Sequence, residues 1–476
     1  MMAHPSTDCI RMTLTTILRN KLLMSTLCLT SLNLNYPVML PHTLERNPWR
    51  DNLDFNCASP FIGRLVTFLD QSPTPWHAVD QVSSRLEHAG FVRLDERAAW
   101  TLEAGATYFV VRSDGALIAW RQPTEVVGWT IFGAHTDSPN LRVRPEPVMK
   151  KHGYFQLGLE VYGGVLLSTW FDRDLSLAGR VAIANEGAVL TELVDLKRPV
   201  GLIPNLAIHL DREANGSRKI NPHEELPMIL SRAETDAELD FKDLLARELD
   251  RSADDISAFE LCAYPVEAAQ VVGLNQEFLT SARLDNLLSC FIATEALVNN
   301  EDAEGVMVVF NDHEEIGSVS TGGADGPFLE SVLRRATIDA DFECVRVNSL
   351  MVSIDNAHGV HPNFASKHDE GHRPLLNEGP VVKVNANHRY ATTAITQSVI
   401  EQAAERADVP LQYFSSRADL GCGSTIGPIT AGRLGIDTID LGCPQLAMHS
   451  ARETCGTKDP ELMLQLLTQL TQRDLI

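Results

Sequence analysis

A chain of 476 residues with 44% hydrophobic side chains can bury a large core and has room for more than one domain. Its formal net charge of -23 argues against nucleic acid and membrane as partners, since nucleic acid and anionic membrane need a basic surface. The 9 cysteines are odd in number and contain no Cys-x-x-Cys pair, so they read as reduced thiols of a cytoplasmic protein, not as a zinc ribbon or a disulfide framework.

Residues 1–57 contain LRNKLLMSTLCLTSLNL, an apolar run broken by Ser and Thr. It is too short and too polar for a membrane span and lacks a convincing signal cleavage site. The stretch reads as a poorly structured extension, or as sequence upstream of a true start at Met24 or Met39. Globular character begins near Pro60, where FIGRLVTFLDQSPTPWHAVDQVSSRLEHAG predicts two amphipathic helices separated by Ser-Pro-Thr-Pro. ATYFVVRSDGALIAWR predicts a hairpin around Ser113-Asp114-Gly115. VVGWTIFGAHTDSPN then predicts a buried strand ending in His135, Thr136 and Asp137.

Between residues 145 and 275 the pattern changes to short β-rich runs punctuated by Gly163-Gly164 and Asp172-Arg173-Asp174, followed by an acidic helical stretch. Strand-helix alternation resumes at about residue 276. The expected architecture is therefore α/β: a mixed, mostly parallel central sheet from residues 58–144 and 276–476, interrupted by an inserted β-rich domain. In the second part, SARLDNLLSCFIATEAL predicts a helix with Asp285 in its first turn, where the helix dipole favours an acid. VMVVFNDHEEIGS, residues 306–318, predicts a strand buried on both faces that ends in a cluster including His313, Glu314 and Glu315. NSLMVSIDNAHGVHPNF predicts another, ending in Asp355 with His358 and His361 just beyond. GPVVKVNANHRYATT predicts a β segment carrying Lys383, with Arg389 and Tyr390 close by, and GIDTIDLGCPQLAMHSARET a strand, a turn and then His449.

In open α/β sheets, ligands collect at the carboxyl ends of the strands. Four apolar runs here end in, or soon lead to, acids or histidines: His135/Asp137, Glu314/Glu315, Asp355 and His449, with Asp285 adding a carboxylate. Any one of them alone reads as a cap or a hydrogen-bonded polar group. Adjacent glutamates such as Glu314 and Glu315 repel each other and lose hydration unless a cation holds them. Two imidazoles with three or more carboxylates suit paired zinc, cobalt or manganese ions, the equipment of a two-metal hydrolase.

The segments GAHTDSPNLRV, SARLDNL, NDHEEIGS, SIDNAHGVHPN and PQLAMHSARE closely resemble the signature segments of the M18 metallopeptidases, the aspartyl aminopeptidase family. The resemblance runs in family order from about Pro60 to the C-terminus. It implies two divalent ions per subunit, zinc foremost with cobalt or manganese as substitutes, with His135 and Asp355 on one ion, Glu315 and His449 on the other, and Asp285 bridging. Glu314 would be the general base, and Asp137 would orient the His135 imidazole, two residues apart on a strand facing the same side. His358 and His361 follow Asp355 closely enough to bind substrate or stabilise an oxyanion. Lys383, in the family's substrate-recognition region, would pair with the side-chain carboxylate of an N-terminal Asp or Glu. The insertion would mediate dimerisation, with His209 in NLAIHL reaching a neighbouring subunit's active site, and the dimers would build a homododecamer. The implied activity is removal of acidic N-terminal residues from peptides. A neutral-residue aminopeptidase or an amino-acid deacylase would share the metal core, while a catalytically silent oligomeric scaffold would not need the Glu314 carboxylate.

Overall fold

The computed structural model describes residues 59–185, 187–234, 238–337 and 339–472. The extension expected over residues 1–57 lies outside the described residues. The apolar runs form a nine-stranded sheet in the order Val92–Arg93, Thr107–Arg112, Ala116–Arg121, Val306–Asn311, Thr130–His135, Leu350–Ile354, Asp437–Gly442, Val381–Val384, Gln412–Ser415. The four strands from Val306–Asn311 to Asp437–Gly442 run parallel. On either side of them Ala116–Arg121 and Val381–Val384 pair antiparallel, so the sheet is mixed with a parallel centre.

Alternate residues of these strands enter different cores, as the two-residue repeat of a strand requires. Val306, Val308 and Phe310 pack with Phe132, Val352 and the helices Pro60–Gln71, Pro75–His88, Leu284–Asn299 and Asp459–Leu470. Met307 and Val309 pack on the other face with Ile131, Met351 and the helices Phe328–Ala336 and Ile426–Leu434. Helices on both faces account for strands without a polar side: all six residues of Val306–Asn311 and of Thr130–His135 are buried. In the Ser-Pro-Thr-Pro break, Ser72 caps the end of the first helix and Thr74 the start of the second; both helices begin with an N-cap followed by proline, the Ser59 and Thr74 hydroxyls accepting from the backbone N–H of Ile62 and His77. Both helices are tied to Leu284–Asn299 through Glu295, whose buried carboxylate accepts from Arg64 and Arg85 at 3.0 Å each.

A second, six-stranded antiparallel sheet supplies the β-rich interruption, in the order Ala188–Asp195, Leu175–Asn185, Ile256–Pro265, Asn140–Lys151, Tyr154–Tyr162, Met228–Arg232. It has its own apolar core, in which Leu157, Leu177 and Leu261 meet Phe241 and Leu245 of the helix Phe241–Leu249. A third sheet joins Gln270–Val272, Phe278–Ser281, Glu453–Gly456, Pro444–Leu446 and Ala357–His358. This small sheet gathers the segments flanking Asp285, Asp355 and His449, which are far apart in sequence. Among the described residues no helix is long and apolar enough to cross a membrane.

Candidate metal centre

The strand ends deliver the acids and imidazoles to one place. His135 closes the strand Thr130–His135 directly opposite Asn311 of the neighbouring parallel strand. After Asn311 the chain turns through His313 at φ 66 and Gly317 at φ 99, with the short turn Glu314–Ile316 between them. A left-handed conformation at His313 is uncommon for a residue with a Cβ, and it marks a sharply set turn. Asp137 holds that turn: its Oδ1 accepts from the Glu314 N–H at 3.0 Å and its Oδ2 from the Glu315 N–H at 3.1 Å.

Around the turn, His135 Nε2 lies 3.4 Å from Asp285 Oδ1 and 3.9 Å from Asp355 Oδ1. His449 Nε2 lies 3.6 Å from Asp285 Oδ2 and 3.4 Å from Glu315 Oε2. One ligand atom from each of His135, Asp285 and Glu315 falls within a 4.8 Å group. Each imidazole is held through Nδ1 by a main-chain carbonyl, His135 by Asp137 at 2.9 Å and His449 by Gly164 at 3.0 Å. A carbonyl only accepts, so Nδ1 carries a hydrogen and Nε2 is the ring nitrogen presented to the carboxylates.

The electrostatics ask for a cation. Burial, with the charge of Asp285 added, pushes Glu315 well above the ordinary carboxylate range, and burial with Asp355, Asp137 and Asp285 pushes Glu314 up to about 8. Burial opposes ionisation of Asp285, but the imidazoles of His135 and His449 outweigh it and hold this carboxyl below its usual range. Burial likewise disfavours a charged His135, yet contacts to Asp137, Asp285 and Asp355 raise it well above the usual imidazole value. Asp285 Oδ1 is buried without a hydrogen-bond partner among the described residues, an open acceptor facing the His135 imidazole. Nitrogen and carboxylate donors so arranged fit zinc. His135, Asp285, Glu315, Asp355 and His449 could hold it. A cavity of about 360 Å³ opens beside them, walled also by Glu314, His358, Tyr390, Thr425 and Met448.

Three sequence expectations need correction. Asp285 does not sit in a regular first helical turn: its φ -83 and ψ 104 are non-helical, and its N–H is bound by Glu453 Oε2 at 3.0 Å. Asp137 lies beyond the end of the strand, so the same-side argument fails; its carbonyl, not chiefly its carboxylate, contacts His135 Nδ1, the nearer carboxylate oxygen being at 3.5 Å. His361 is not on the cavity wall: its Nδ1 accepts from the Asn363 N–H at 3.2 Å, capping the turn Pro362–Lys367, and its ring packs on Phe364. A histidine followed by proline at a helix start carries that capping signal in the sequence.

His358 does face the cavity, its ring edge-on to Phe414 at 5.5 Å. Lys383 stands behind the wall, 2% exposed, with Nζ 3.5 Å from Asp355 Oδ2 and 5.1 Å from the Tyr390 ring centre. Its backbone strand pairs with the edge strand Gln412–Ser415, while Arg389 is exposed. His209 is exposed on a turn at 207–210, away from the cavity lining. Two buried residues absent from the sequence reading also bear on the centre. Glu453, four residues past His449, accepts from the N–H of both Asp285, at 3.0 Å, and His449, at 2.6 Å. Tyr162 donates its hydroxyl to Asp137 Oδ2 at 2.7 Å. Glu453 was visible as the last residue of the PQLAMHSARE segment; nothing local in the sequence marks Tyr162, whose partner lies outside its own sheet.

A mixed α/β sheet with paired imidazoles and carboxylates at the carboxyl ends of its parallel central strands defines a metal-dependent hydrolase. The family described as "Aminopeptidase I zinc metalloprotease (M18)" matches residues 68–470. A "Probable M18 family aminopeptidase 2" of Azotobacter vinelandii (strain DJ / ATCC BAA-1303) is 52% identical over 413 residues, covering 85% of this chain and 96% of its own length. The protein of the same description from Ectopseudomonas mendocina (strain ymp) is 51% identical, with the same coverage of both chains. Among solved structures, the cryo-EM structure of the Ape4 and Nbr1 complex aligns with a TM-score of 0.83 and 39% identity over 86% of this chain and 84% of that one. The S. cerevesiae mApe1 dodecamer aligns with a TM-score of 0.74 and 27% identity over 86% of this chain and 96% of that one. The chain belongs to the M18 family of zinc metallopeptidases and is a metallo-aminopeptidase.

Proposed function

We propose that this aminopeptidase holds two zinc ions per chain and removes Asp or Glu from peptide N-termini. The supporting observation is the disposition of Asp285, whose Oδ1 is 3.4 Å from His135 Nε2 while its Oδ2 is 3.6 Å from His449 Nε2. A carboxylate facing two imidazoles in this way can bridge two ions, one shared with Asp355 and the other with Glu315. Zinc, when bound, supplies Lewis acidity toward the scissile carbonyl and toward water. Glu314, on the cavity wall, takes the proton of the attacking water and returns it to the leaving amine. Asp137 keeps Glu314 in place through the backbone N–H at 3.0 Å.

Acidic specificity rests on Lys383. A chain of net charge -23 repels an acidic substrate at long range unless its pocket supplies positive charge. The Lys383 ammonium adjoins Asp355 and Tyr390, both on the cavity wall. With Asp355 engaged by zinc, this buried ammonium is left to pair with a substrate carboxylate. Such a charge-assisted contact contributes about 1.5–3 kcal/mol, a preference of roughly 10-fold or more. The test compares kcat/KM for Asp-, Glu-, Leu- and Lys-terminated substrates in wild type and Lys383→Ala. The acidic-to-Leu ratio should collapse in the variant. Preference for Leu in wild type would reject the acidic reading in favour of a neutral-residue enzyme, and an unchanged ratio in Lys383→Ala would remove Lys383 from the recognition role.

The assembly we propose is a homododecamer of dimers, with residues 145–275 as the dimerisation domain between catalytic parts 58–144 and 276–476. The mApe1 relative is a dodecamer. In this chain His209 is flanked by Leu206 at 53%, Ile208 at 42% and Leu210 at 75% exposure, apolar surface suited to burial against another subunit. His209 would reach the partner's cavity from there. Light scattering should show a large assembly, and an active monomer would contradict it. The buried thiols of Cys262, Cys290, Cys443 and Cys455 are unpaired, in keeping with the cytoplasmic location we assign.

A further inference from the structure

The six-stranded sheet reaches into the metal centre through one short segment. Its strand Tyr154–Tyr162 ends beside the centre, and the chain then runs through Gly163 and Gly164 to Leu166. Tyr162 is buried, its ring lies under the Arg142 guanidinium at 3.9 Å, and its hydroxyl donates to Asp137 Oδ2 at 2.7 Å. That carboxylate also holds the N–H groups of Glu314 and Glu315 at 3.0 and 3.1 Å. Two residues on, the Gly164 carbonyl accepts from His449 Nδ1 at 3.0 Å, and the Leu166 N–H donates to the His449 carbonyl at 3.0 Å. The fit is close along the way. A Cβ on Gly163 would lie 3.2 Å from Glu315 Cβ, and one on Gly164 would lie 3.1 Å from His449 Nδ1.

The nine-stranded sheet does not supply these contacts. Without the segment, Asp137 would lose one donor, and the His449 ring would lose the carbonyl that fixes its tautomer and orientation. We propose that residues 162–166 form a positioning strap by which the six-stranded sheet sets the zinc centre, Tyr162 acting through Asp137 on the Glu314–Glu315 turn and Gly164 acting on His449. Tyr162 is a positioning residue: its hydroxyl acts through Asp137 and not on substrate. The inference rests on the reading of Glu315 and His449 as zinc ligands.

The test uses the full chain with three variants. Tyr162→Phe removes only the hydroxyl. Gly164→Ala adds a methyl group against the His449 ring, at a position without positive φ, so that space alone is changed. His449→Ala is the control for the ligand reading. Zinc affinity is measured by competition with a fluorescent chelator, alongside kcat and KM on an aminoacyl anilide. Tyr162→Phe should lower kcat by about 10- to 100-fold with KM within about twofold, and Gly164→Ala should weaken zinc binding by about 10- to 100-fold. A role in folding alone would lower the melting temperature and leave zinc affinity and kcat per zinc-loaded chain unchanged. If His449→Ala binds zinc like wild type, the ligand reading fails. If His449→Ala loses zinc while both strap variants bind and turn over within twofold of wild type, the strap alone is overturned. Should Gly164→Ala not fold, the kcat and zinc affinity of the near-isosteric Tyr162→Phe decide the matter.

Discussion

Glu314→Gln should retain zinc and lose about 10²–10⁴-fold in kcat, the contribution typical of a positioned acid–base group. The amide keeps the size of the side chain and its place on the cavity wall, but it cannot accept the proton of the attacking water or return it to the amine. The turn is not disturbed, because Asp137 grips the backbone N–H of Glu314 and not its side chain. KM should change little, since the loss falls on the chemical step. Zinc content and steady-state kinetics on the same preparation check this. Turnover like that of wild type would remove Glu314 from its role, and loss of zinc would make it a ligand.

Asp285→Ala should be at least as damaging to hydrolysis and should act by the opposite route, through loss of metal. The Asp285 oxygens lie 3.4 Å and 3.6 Å from the two imidazole Nε2 atoms, so one substitution removes the only carboxylate facing both among the described ion pairs. Zinc per chain should fall from two to one or fewer, read by elemental analysis after dialysis. Full zinc content in Asp285→Ala would show that the carboxylate is not shared.

Much of this centre was legible in the sequence because the strands are covered on both faces. A strand buried on both faces is mostly apolar, so an acid or imidazole at or just past its end stands out, as His135, Glu314 and Asp355 do. Strand endings are local and can be read; what converges on them from elsewhere cannot. The helix that carries Asp285 was legible, but its non-helical first residues and the hold of Glu453, 168 residues further on, on the Asp285 N–H were not. Asp137 was tied to His135, which its carbonyl contacts, but nothing local showed that its carboxylate also accepts from Glu314, Glu315 and Tyr162. His361 shared a loop with His358 but serves the turn that follows it. Tyr162 was invisible because its partner lies outside its own sheet. The mixed sheet and its β-rich interruption followed from changes in apolar periodicity, which each segment carries within itself.

The most direct measurement of the central claim is a zinc titration of metal-stripped enzyme, with peptide hydrolysis and bound zinc followed together. The two-ion account predicts saturation at two zinc ions per chain, with hydrolysis absent from the stripped protein and restored as the sites fill. Saturation at a single ion with full activity, or hydrolysis by rigorously zinc-free enzyme, would contradict it.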